Sequence, residues 1–328
     1  MRILVHDSIA TKINKISREI LVIFFCELSF CVRQSGRYFS WDNMRNIKPP
    51  LSFTGHKGHW ASELTDIAKQ LPYDCTVFDV FGGSGICSEY IKRARPDITV
   101  IWNDFDNYRA RLDNVDKTER LRRYFIEKLG RPLPKKAYIP PLSLDQRQFV
   151  FDTLKQQISD YGFCDFQTIS RWFYMYPLKT HKLMSFTGKL YNRVPVVPMR
   201  LDACNSWLSD VLRNSVTFTG IDTEFYLYDK LVKLRDYIPN QNALLILDPP
   251  YLGTGCNDYG NQESLKILKD VCDCCNHLPF LLFGDSSISF WYDQIVKDRH
   301  YLKYEKVINN TGMNHSKRSE VLFACLPC

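Results

Sequence analysis

The fold of this chain is indicated by one short stretch, ALLILDPPY, at residues 243–251. Its first five residues are apolar without interruption, which is typical of a buried strand. The two prolines that follow cannot extend the strand or begin a helix, because each lacks an N–H and the first restrains its neighbour to an extended conformation. Asp248 is therefore expected at the carboxyl end of a strand, which is the edge where open α/β sheets bind their ligands.

The residues of this turn suit a flat heterocycle that carries an exocyclic amine. Asp248 and a proline carbonyl oxygen can accept the two N–H bonds of the amine, and the ring of Tyr251 can stack on the heterocycle. An acidic β-turn that binds nothing is the alternative, and the Asp-Pro-Pro sequence alone does not separate the two. The strand before the turn and the aromatic residue after it favour the ligand-binding interpretation.

A second signal is a glycine-rich turn between a predicted strand and a predicted helix. Residues 76–81 (TVFDVF) predict the strand, residues 82–85 (GGSG) the turn and residues 86–93 the helix. Glycine has no Cβ, so the backbone of such a turn can approach a ligand closely, although tight packing alone produces similar turns. Ser88 stands where the third glycine of a dinucleotide fingerprint would be, which makes a pyrophosphate ligand less favoured.

The next predicted strand, residues 98–102, ends in the acidic sequence NDFD at residues 103–106. Asp104 lies about twenty residues after the glycine turn, where an acid hydrogen-bonds the ribose hydroxyls of a nucleotide. A nucleoside without a pyrophosphate fits both signals, and S-adenosylmethionine is the obvious cofactor of that kind. The alternatives are that Asp104 caps a helix or turn and that Asp106 takes the ribose role.

Strand and helix signals alternate along two separated parts of the chain. Further strands are predicted at residues 243–247, 280–283 and 320–324, with helices near residues 262–275 and 290–298. Alternation of this kind predicts an α/β fold with a mostly parallel sheet and helices on both of its faces.

The alternation is interrupted between about residues 107 and 213, which hold much of the proline, many aromatic residues and clustered Arg and Lys. We predict that residues 107–213 form a smaller domain set into a larger one, which comprises residues 44–106 and 214–328. Residues 1–43 are predicted to be an N-terminal extension of unknown role.

Composition restricts the class of protein. The 328 residues, 45% hydrophobic and 24% charged, are ordinary for a globular chain of one large or two unequal domains. A net charge of +7 permits a polyanionic partner without requiring one. Twelve cysteines without a convincing export signal favour reduced thiols and a cytoplasmic location. The apolar stretch at residues 20–32 is interrupted by Glu27 and is too short to span a membrane.

Two Cys-x-x-Cys pairs, Cys272/Cys275 and Cys325/Cys328, have the spacing of zinc ligands. The first pair lies in a predicted helix, and the second ends the chain after a predicted strand. Unpaired thiols are therefore the preferred interpretation, and no metal is expected.

Six ordered segments, together with the DPPY turn, resemble the motifs of Dam-type DNA adenine-N6 methyltransferases from about Pro50 to the C-terminus. They are FTGHK at 53–57, FGGSG at 81–85, NDFD at 103–106, GKLYNRVP at 188–195, TFTGID at 217–222 and KRSEVL at 317–322. In the fourth segment, Tyr191 and the spacing depart from the family's Gly-x-x-Asn-x-Pro pattern. The resemblance implies the class I, Rossmann-like α/β sheet of an S-adenosylmethionine-dependent methyltransferase, with an inserted, mostly helical target-recognition domain.

The resemblance also implies functional roles, position by position. The catalytic turn that receives the target base would consist of Asp248, Pro249, Pro250 and Tyr251. The residues implied in binding S-adenosylmethionine are Phe53, Lys57, Asp79, Phe81, Gly83, Gly85, Asp104, Asp222 and Asp248. Among them, Phe53 and Lys57 would contact the methionine end of the cofactor, and Asp222 would face its adenine. A solvated surface lysine is the alternative for Lys57.

Double-stranded DNA is the expected partner, bound mainly by the inserted domain. The predicted DNA contacts are Arg109, Arg120, Arg122, Arg123, Arg171, Lys179, Lys182, Lys189, Asn192 and Arg193. Clustered cations are typical of phosphate binding, although a solvated helix face or a local core would also account for any single one. We expect a monomer with no membrane partner. A cognate restriction endonuclease is a further partner that this class can have.

The predicted activity is transfer of a methyl group from S-adenosylmethionine to the exocyclic amine of an adenine flipped out of duplex DNA. Accepting the amine's hydrogen bonds returns electron density to a nitrogen whose lone pair is otherwise delocalised into the ring. The same turn could serve cytosine N4 or adenine in RNA. A cofactor-bound DNA-binding regulator without turnover is the alternative from a different class. The target sequence stays open: GATC is the family's commonest, but the recognition segment departs from the family's pattern.

Overall fold

The computed structural model describes residues 47–53, 55, 57–104, 107–134, 138–175, 182–209, 211, 242–249, 278–286, 293–294, 300–309 and 317–327. Within these ranges one sheet contains six strands: β1 (Thr76–Asp79), β2 (Thr99–Trp102), β3 (Ala243–Leu247), β4 (Phe280–Asp285), β5 (Leu302–Asn309) and β6 (Lys317–Cys325). Their order across the sheet is β2-β1-β3-β4-β6-β5. The strands β1 to β4 pair in parallel, and β6 is antiparallel to both of its neighbours. The predicted mostly parallel, Rossmann-like sheet is confirmed.

The register of the first three strands brings their carboxyl ends to one edge. Asp79, the last residue of β1, pairs with Trp102 on β2 and with Ile246 on β3. Asp248 follows β3 directly, so the two aspartates leave neighbouring strands at the same edge of the sheet. This is the edge at which open α/β sheets bind ligands.

Apolar residues cover both faces of the sheet. Along β3, Leu244 and Ile246 belong to one buried cluster, while Leu245 and Leu247 belong to another. This division follows from the two-residue period of a strand, and burial of each such side chain is worth about 1.5–3 kcal/mol. A strand with no polar position is therefore stable only between two apolar layers.

The first buried cluster lies between the sheet and two helices, α1 (Ala61–Gln70) and α2 (Ile86–Ala94), which pack against each other. The helix predicted over residues 86–93 is confirmed as α2. Of the other two predicted helices, the one at residues 262–275 lies outside the described residues. For residues 290–298 only residues 293–294 are described, and both are helical.

Between β2 and β3 the described chain is mainly helical. The helices are α3 (Tyr108–Asp113), α4 (Val115–Leu129), α5 (Leu144–Tyr161), α6 (Phe166–Phe173) and α7 (Leu201–Ser206), with a 3-10 helix at Leu183–Thr187. They enclose a separate apolar cluster that includes Phe125, Leu154 and Phe173. A capping box between Ser143 and Gln146 begins α5. The mostly helical character agrees with the prediction, and the proposed domain boundaries stay a prediction.

Four of the five strands predicted from apolar runs differ from the structure at one or both ends, by one to three residues, and one strand was not predicted. The strand predicted over residues 76–81 ends at Asp79, although the N–H of Val80 still donates to the carbonyl oxygen of Ile246 at 3.1 Å. The strand β5 was not predicted, because LKYEKVIN places charged residues among apolar ones. It lies at the edge of the sheet, where backbone pairing with β6 needs no continuous apolar run.

Within the described ranges, no helix combines the length and the apolar character that crossing a membrane requires. The same ranges hold no group of three or more His, Cys, Asp or Glu side chains placed to bind a metal. Cys325 is buried, while Cys272, Cys275 and Cys328 lie outside the described residues.

Candidate active site

A buried lysine meets the aspartate that follows β3. The Nζ of Lys57 lies 2.6 Å from Oδ2 of Asp248 and donates to the carbonyl oxygen of Gly55 at 2.9 Å. It also lies 5.6 Å from the centre of the Phe283 ring. Lys57 is only 2% exposed, whereas the Asp248 side chain is 21% exposed. The alternative of a solvated surface lysine is therefore wrong, and Asp248 is the partner that keeps part of its side chain exposed.

A second carboxylate, Asp79, is buried next to this pair. Ser88 donates its hydroxyl to Oδ2 of Asp79 at 2.7 Å. Burial raises the pKa of Asp79 to about 7, the charge of Asp248 adds to this rise, and the hydrogen bond from Ser88 and the charge of Lys57 oppose it. The residue that replaces the third glycine of a dinucleotide fingerprint thus ties the first turn of α2 to the end of β1.

The glycine turn packs against the segment that carries Phe53. Gly83 has a φ of 48°, and a Cβ at this position would lie 2.7 Å from Cε1 of Phe53. Gly85 has a φ of 72° and donates its N–H to the carbonyl oxygen of Gly82 at 2.6 Å. Both positions favour glycine through their left-handed backbone. The structure therefore brings together Phe53, Gly83 and Gly85, which were predicted separately as cofactor contacts, and Phe81 follows the end of β1 nearby, partly buried.

Phe53 is itself held by residues to which the sequence analysis assigned no such role. Its ring meets Tyr108 edge-on with ring centres 5.9 Å apart. The Tyr108 hydroxyl donates to the carbonyl oxygen of Leu51 at 3.1 Å and accepts from its N–H at 3.2 Å. Arg111 stacks over the Tyr108 ring and donates to the carbonyl oxygen of Ser52 at 3.1 Å. The start of the helical region thus positions the wall of the candidate cofactor site.

Asp104 is buried at the end of β2 and caps α3. Its two carboxylate oxygens accept the N–H groups of Tyr108 and Arg109 at 2.6 Å and 2.8 Å. The capping role that the sequence analysis held as an alternative is therefore present. A carboxylate can accept more than two hydrogen bonds, so these two do not exclude the ribose role. The ribose role stays a prediction, and Asp106 lies outside the described residues.

Three buried polar atoms beside the glycine turn have no hydrogen-bond partner within the described ranges. They are Oγ of Ser84, Nε1 of Trp102 and Oδ1 of Asn103. Leaving such an atom unpaired costs about 1–3 kcal/mol, so natural proteins rarely bury several together. One donor, one acceptor and one hydroxyl at a ligand-binding edge fit a polar cofactor such as S-adenosylmethionine. None of the three was predicted as a site residue, although Ser84 lies in the glycine turn, Trp102 ends β2 and Asn103 follows it.

Glu320 on β6 anchors the turn that follows Lys57. Its Oε2 pairs with Nε2 of His59 at 2.9 Å and accepts from Nε1 of Trp60 at 3.3 Å. Burial opposes ionisation of Glu320, but the hydrogen bond from His59 and the charge of Lys57 outweigh it, so the pKa of Glu320 is lowered. The segment at 317–322 resembles a family motif, but no role was predicted for Glu320. In the structure, Glu320 binds the side chains of His59 and Trp60 and so holds the turn that follows Lys57.

Four predicted site residues, Asp222, Pro250, Tyr251 and Lys179, lie outside the described residues. Pro249 is described and buried. The stacking role of Tyr251 and the adenine contact of Asp222 therefore stay predictions.

Arg122, Asn192 and Arg193, all predicted DNA contacts, donate to backbone carbonyl oxygens of the protein. The guanidinium of Arg122 is buried, binds Glu119 at 2.7 Å and donates to the carbonyl oxygen of Pro195 at 2.6 Å. Asn192 donates to the carbonyl oxygen of Gly130 at 3.0 Å, and Arg193 donates to that of Tyr174 at 2.7 Å. The structure thus gives Arg122 a structural role, and we remove it from the proposed DNA-contacting set.

The other described members of that set reach the surface to different degrees. Arg120, Arg123, Arg171, Lys182 and Lys189 are exposed. Arg109 is partly exposed and pairs with Asp113 at 2.8 Å.

Comparison with known proteins gives one significant curated relative. A Haemophilus influenzae protein named "Putative methyltransferase" is 28% identical over 250 residues, which cover 74% of each chain. No family model matches the sequence.

The similar solved structures are more distant. One is described as precorrin 8W decarboxylase from Methanobacterium thermoautotrophicum, with a TM-score of 0.31, 11% identity and coverage of 85% of this chain and 96% of that one. Another is precorrin-6y C5,15-methyltransferase from Geobacter metallireducens, with a TM-score of 0.30, 9% identity and coverage of 87% and 95%. Scores this low bear on neither substrate nor mechanism. The sheet, the glycine turn with its unpaired polar atoms and the curated relative together show a Rossmann-like methyltransferase that uses S-adenosylmethionine as its methyl donor.

Proposed function

We propose that this methyltransferase is a site-specific DNA adenine-N6 methyltransferase. The observation that carries the proposal is the position of Asp248, which follows β3 at the ligand-binding edge, is partly exposed and is bonded to the buried ammonium of Lys57. An acid in this place, followed by Pro249, can accept hydrogen bonds from an exocyclic amine. The ordered motifs of the sequence favour adenine in DNA over the other amines.

Asp248 would act on the amine nitrogen of the target base. By accepting an N–H bond, the carboxylate draws the nitrogen toward tetrahedral geometry and makes its lone pair more available. The charge of Lys57, 2.6 Å away, stabilises the ionised carboxylate that this role requires.

The residues proposed to bind S-adenosylmethionine would fix its position in the site. Phe53 and the glycine turn would hold the methionine end of S-adenosylmethionine, Lys57 would lie close to its carboxylate, and Asp104 would bind its ribose. When bound, the cofactor supplies a methyl group already activated on a sulfonium. The chain contributes the alignment of the amine with that methyl, and alignment of this kind can lower a barrier by about 7–11 kcal/mol.

The helical region would hold the DNA duplex. Exposed cations there include Arg120, Arg123, Arg171, Lys182 and Lys189, and binding of phosphates requires such a surplus of positive charge. Because a stacked base cannot reach Asp248, the nucleotide must rotate out of the helix, at a cost of a few kcal/mol. We propose that residues 107–213 are the target-recognition domain, and that residues 44–106 and 214–328 are the catalytic domain.

Expression in a host that lacks DNA methylation, followed by long-read mapping of modified bases, tests the proposal. We expect N6-methyladenine within one short sequence context, and no modified base with Asp248→Ala. N4-methylcytosine would overturn the assignment of adenine. Methylation of RNA but not of DNA by the purified protein would overturn the assignment of the nucleic acid. A purified protein that binds S-adenosylmethionine and specific DNA without transfer would support the regulator instead.

A further inference from the structure

Two residues at the end of the helical region lie directly on the glycine turn. Trp207 and Leu208 follow α7, and both are buried. Nε1 of Trp207 donates to the carbonyl oxygen of Ser84 at 2.8 Å. The Leu208 side chain packs against Gly85 so closely that a Cβ on this glycine would lie 2.6 Å from Cδ1 of the leucine. The turn is thus covered by side chains more than a hundred positions away in the sequence.

Leu208 holds a backbone conformation that leucine rarely adopts. Its φ is 57°, in the left-handed region, which costs about 1–3 kcal/mol for a residue of this type. The N–H of Leu208 donates to Oε2 of Glu89 at 3.2 Å, and Glu89 is a buried residue of α2 that also binds Arg93. Strain of this kind persists only where the surrounding contacts enforce it, and here they come from the helix that begins at the glycine turn.

The contacts hold the peptide between Ser84 and Gly85 from both sides. On one side the carbonyl oxygen of Ser84 accepts from Trp207, and on the other the N–H of Gly85 donates to Gly82 at 2.6 Å. The orientation of this peptide determines the shape that the turn presents to Phe53 and to a ligand. No role at the cofactor was predicted for Trp207, which supplies the first of these contacts.

We propose that Trp207 and Leu208 are positioning residues for S-adenosylmethionine. They hold the glycine turn in its binding conformation, so the helical region contributes to cofactor affinity without touching the cofactor. This role concerns the methyl donor alone and does not depend on which amine is methylated.

The first test is isothermal titration calorimetry of S-adenosylhomocysteine with the purified full chain. Trp207→Phe keeps the aromatic packing but removes the indole N–H, and Leu208→Ala removes the packing on Gly85. We expect each substitution to raise the Kd about tenfold. Trp172→Phe is the matched control, because Trp172 is equally buried but lies in the separate helical cluster, and we expect its Kd to stay within about twofold of the wild type. Values within about twofold for both test variants would overturn the proposal.

A second measurement needs no variant. Hydrogen exchange of the wild-type chain is compared with and without S-adenosylhomocysteine. We expect the amides of Gly85 and Leu208 to slow together, by about tenfold at saturating ligand, because one structure holds both. Slowing at Gly85 with unchanged exchange at Leu208 would contradict the proposed positioning role, even if a substituted protein failed to fold.

Discussion

Lys57 and Asp248 form an ion pair in which one partner is buried and the other is partly exposed, with Nζ 2.6 Å from Oδ2. Burial removes water from the ammonium of Lys57. The ammonium is instead paired with the Asp248 carboxylate, hydrogen-bonded to the carbonyl oxygen of Gly55 and close to the Phe283 ring. Such a pair contributes little net stability, but removing one partner leaves the other charge uncompensated. Because stability alone does not account for this ion pair, we expect the charges of Lys57 and Asp248 to serve the proposed active site.

Replacement of Asp248 separates chemistry from cofactor binding. We expect Asp248→Ala to abolish methyl transfer while the Kd for S-adenosylhomocysteine stays within about tenfold, since the glycine turn and Phe53 are untouched. Asp248→Asn keeps the shape but loses the charge, and it should also transfer poorly. Methyl transfer by the two variants is measured with radiolabelled S-adenosylmethionine. Transfer at the wild-type rate by either variant would contradict the role of the carboxylate.

Replacement of Lys57 should instead weaken the cofactor. Lys57→Met removes the buried ammonium, and we expect at least about a tenfold rise in the Kd, measured by calorimetry. The control is Lys69→Met, since Lys69 is an exposed lysine that pairs with Asp66, and exposed pairs contribute only about 0–1 kcal/mol. An equal, small effect of the two substitutions would mean that Lys57 has no part in the site.

Asp79 makes stability depend on pH with a defined sign. Burial raises its pKa from 3.8 to about 7, so the folded chain binds this proton more tightly than the unfolded chain does. The contribution of Asp79 to stability is then fully present below about pH 4 and is lost as the pH rises to about 7. Urea unfolding of wild type and Asp79→Asn is measured from pH 4 to 8. The free energy of unfolding of the variant should rise relative to that of the wild type as the pH increases, by an amount on the order of a few kcal/mol.

Asp97 provides a contrast of opposite sign for the same experiment. The hydrogen bond from Arg95 lowers the pKa of this exposed carboxyl, so its contribution is present above its unfolded pKa and is lost as the pH falls. Asp97→Asn should therefore lose stability relative to wild type at higher pH, not gain it. A pH-independent difference for Asp79→Asn would show that Asp79 ionises in the folded chain as it does in the unfolded one.

Two glycines distinguish backbone strain from contact with the cofactor wall. Gly83→Ala would meet the Phe53 ring, whereas Gly162→Ala, at a φ of 63°, would meet nothing within 4 Å. We expect each to destabilise the fold by about 1 kcal/mol through its left-handed backbone, but only Gly83→Ala should raise the cofactor Kd. Calorimetry and urea unfolding of both variants check this. Equal cofactor affinity in the two would place the glycine turn away from the cofactor.

Neighbouring arginines on α4 should behave differently toward DNA. The Arg123 side chain is 66% exposed and that of Arg122 only 4%. If the helical region binds DNA, Arg123→Ala should weaken binding and lower the slope of log Kd against log salt by about 1, as anisotropy would show. Arg122→Ala should chiefly destabilise the fold, by about 3 kcal/mol, because the buried Glu119 loses its two short hydrogen bonds to the guanidinium and keeps only the Met199 N–H and a longer pair with Arg123 at 3.7 Å. An unchanged salt slope for Arg123→Ala would remove this face of α4 from the interface.

Local chain properties were enough to predict the framework of the site. The strand β3 occupies the predicted residues 243–247, because five apolar residues can be buried on both faces and two prolines end the run. The helix α2 begins at Ile86, directly after the glycine turn, as the local sequence predicted. The strand β5 escaped prediction because an edge strand needs a paired backbone and not an apolar sequence.

By itself, then, the sequence determined the strand β3, the glycine turn and the place of Asp248 at the end of that strand, because each depends on residues adjacent in the chain. Only the tertiary structure decided that Lys57 is buried against Asp248, that the Arg122 side chain is buried while that of Arg123 is exposed, and that Leu208 covers Gly85. Burial and pairing of a charge depend on which distant segments pack around it. Two adjacent arginines therefore look alike in the sequence and acquire different roles once the helices pack.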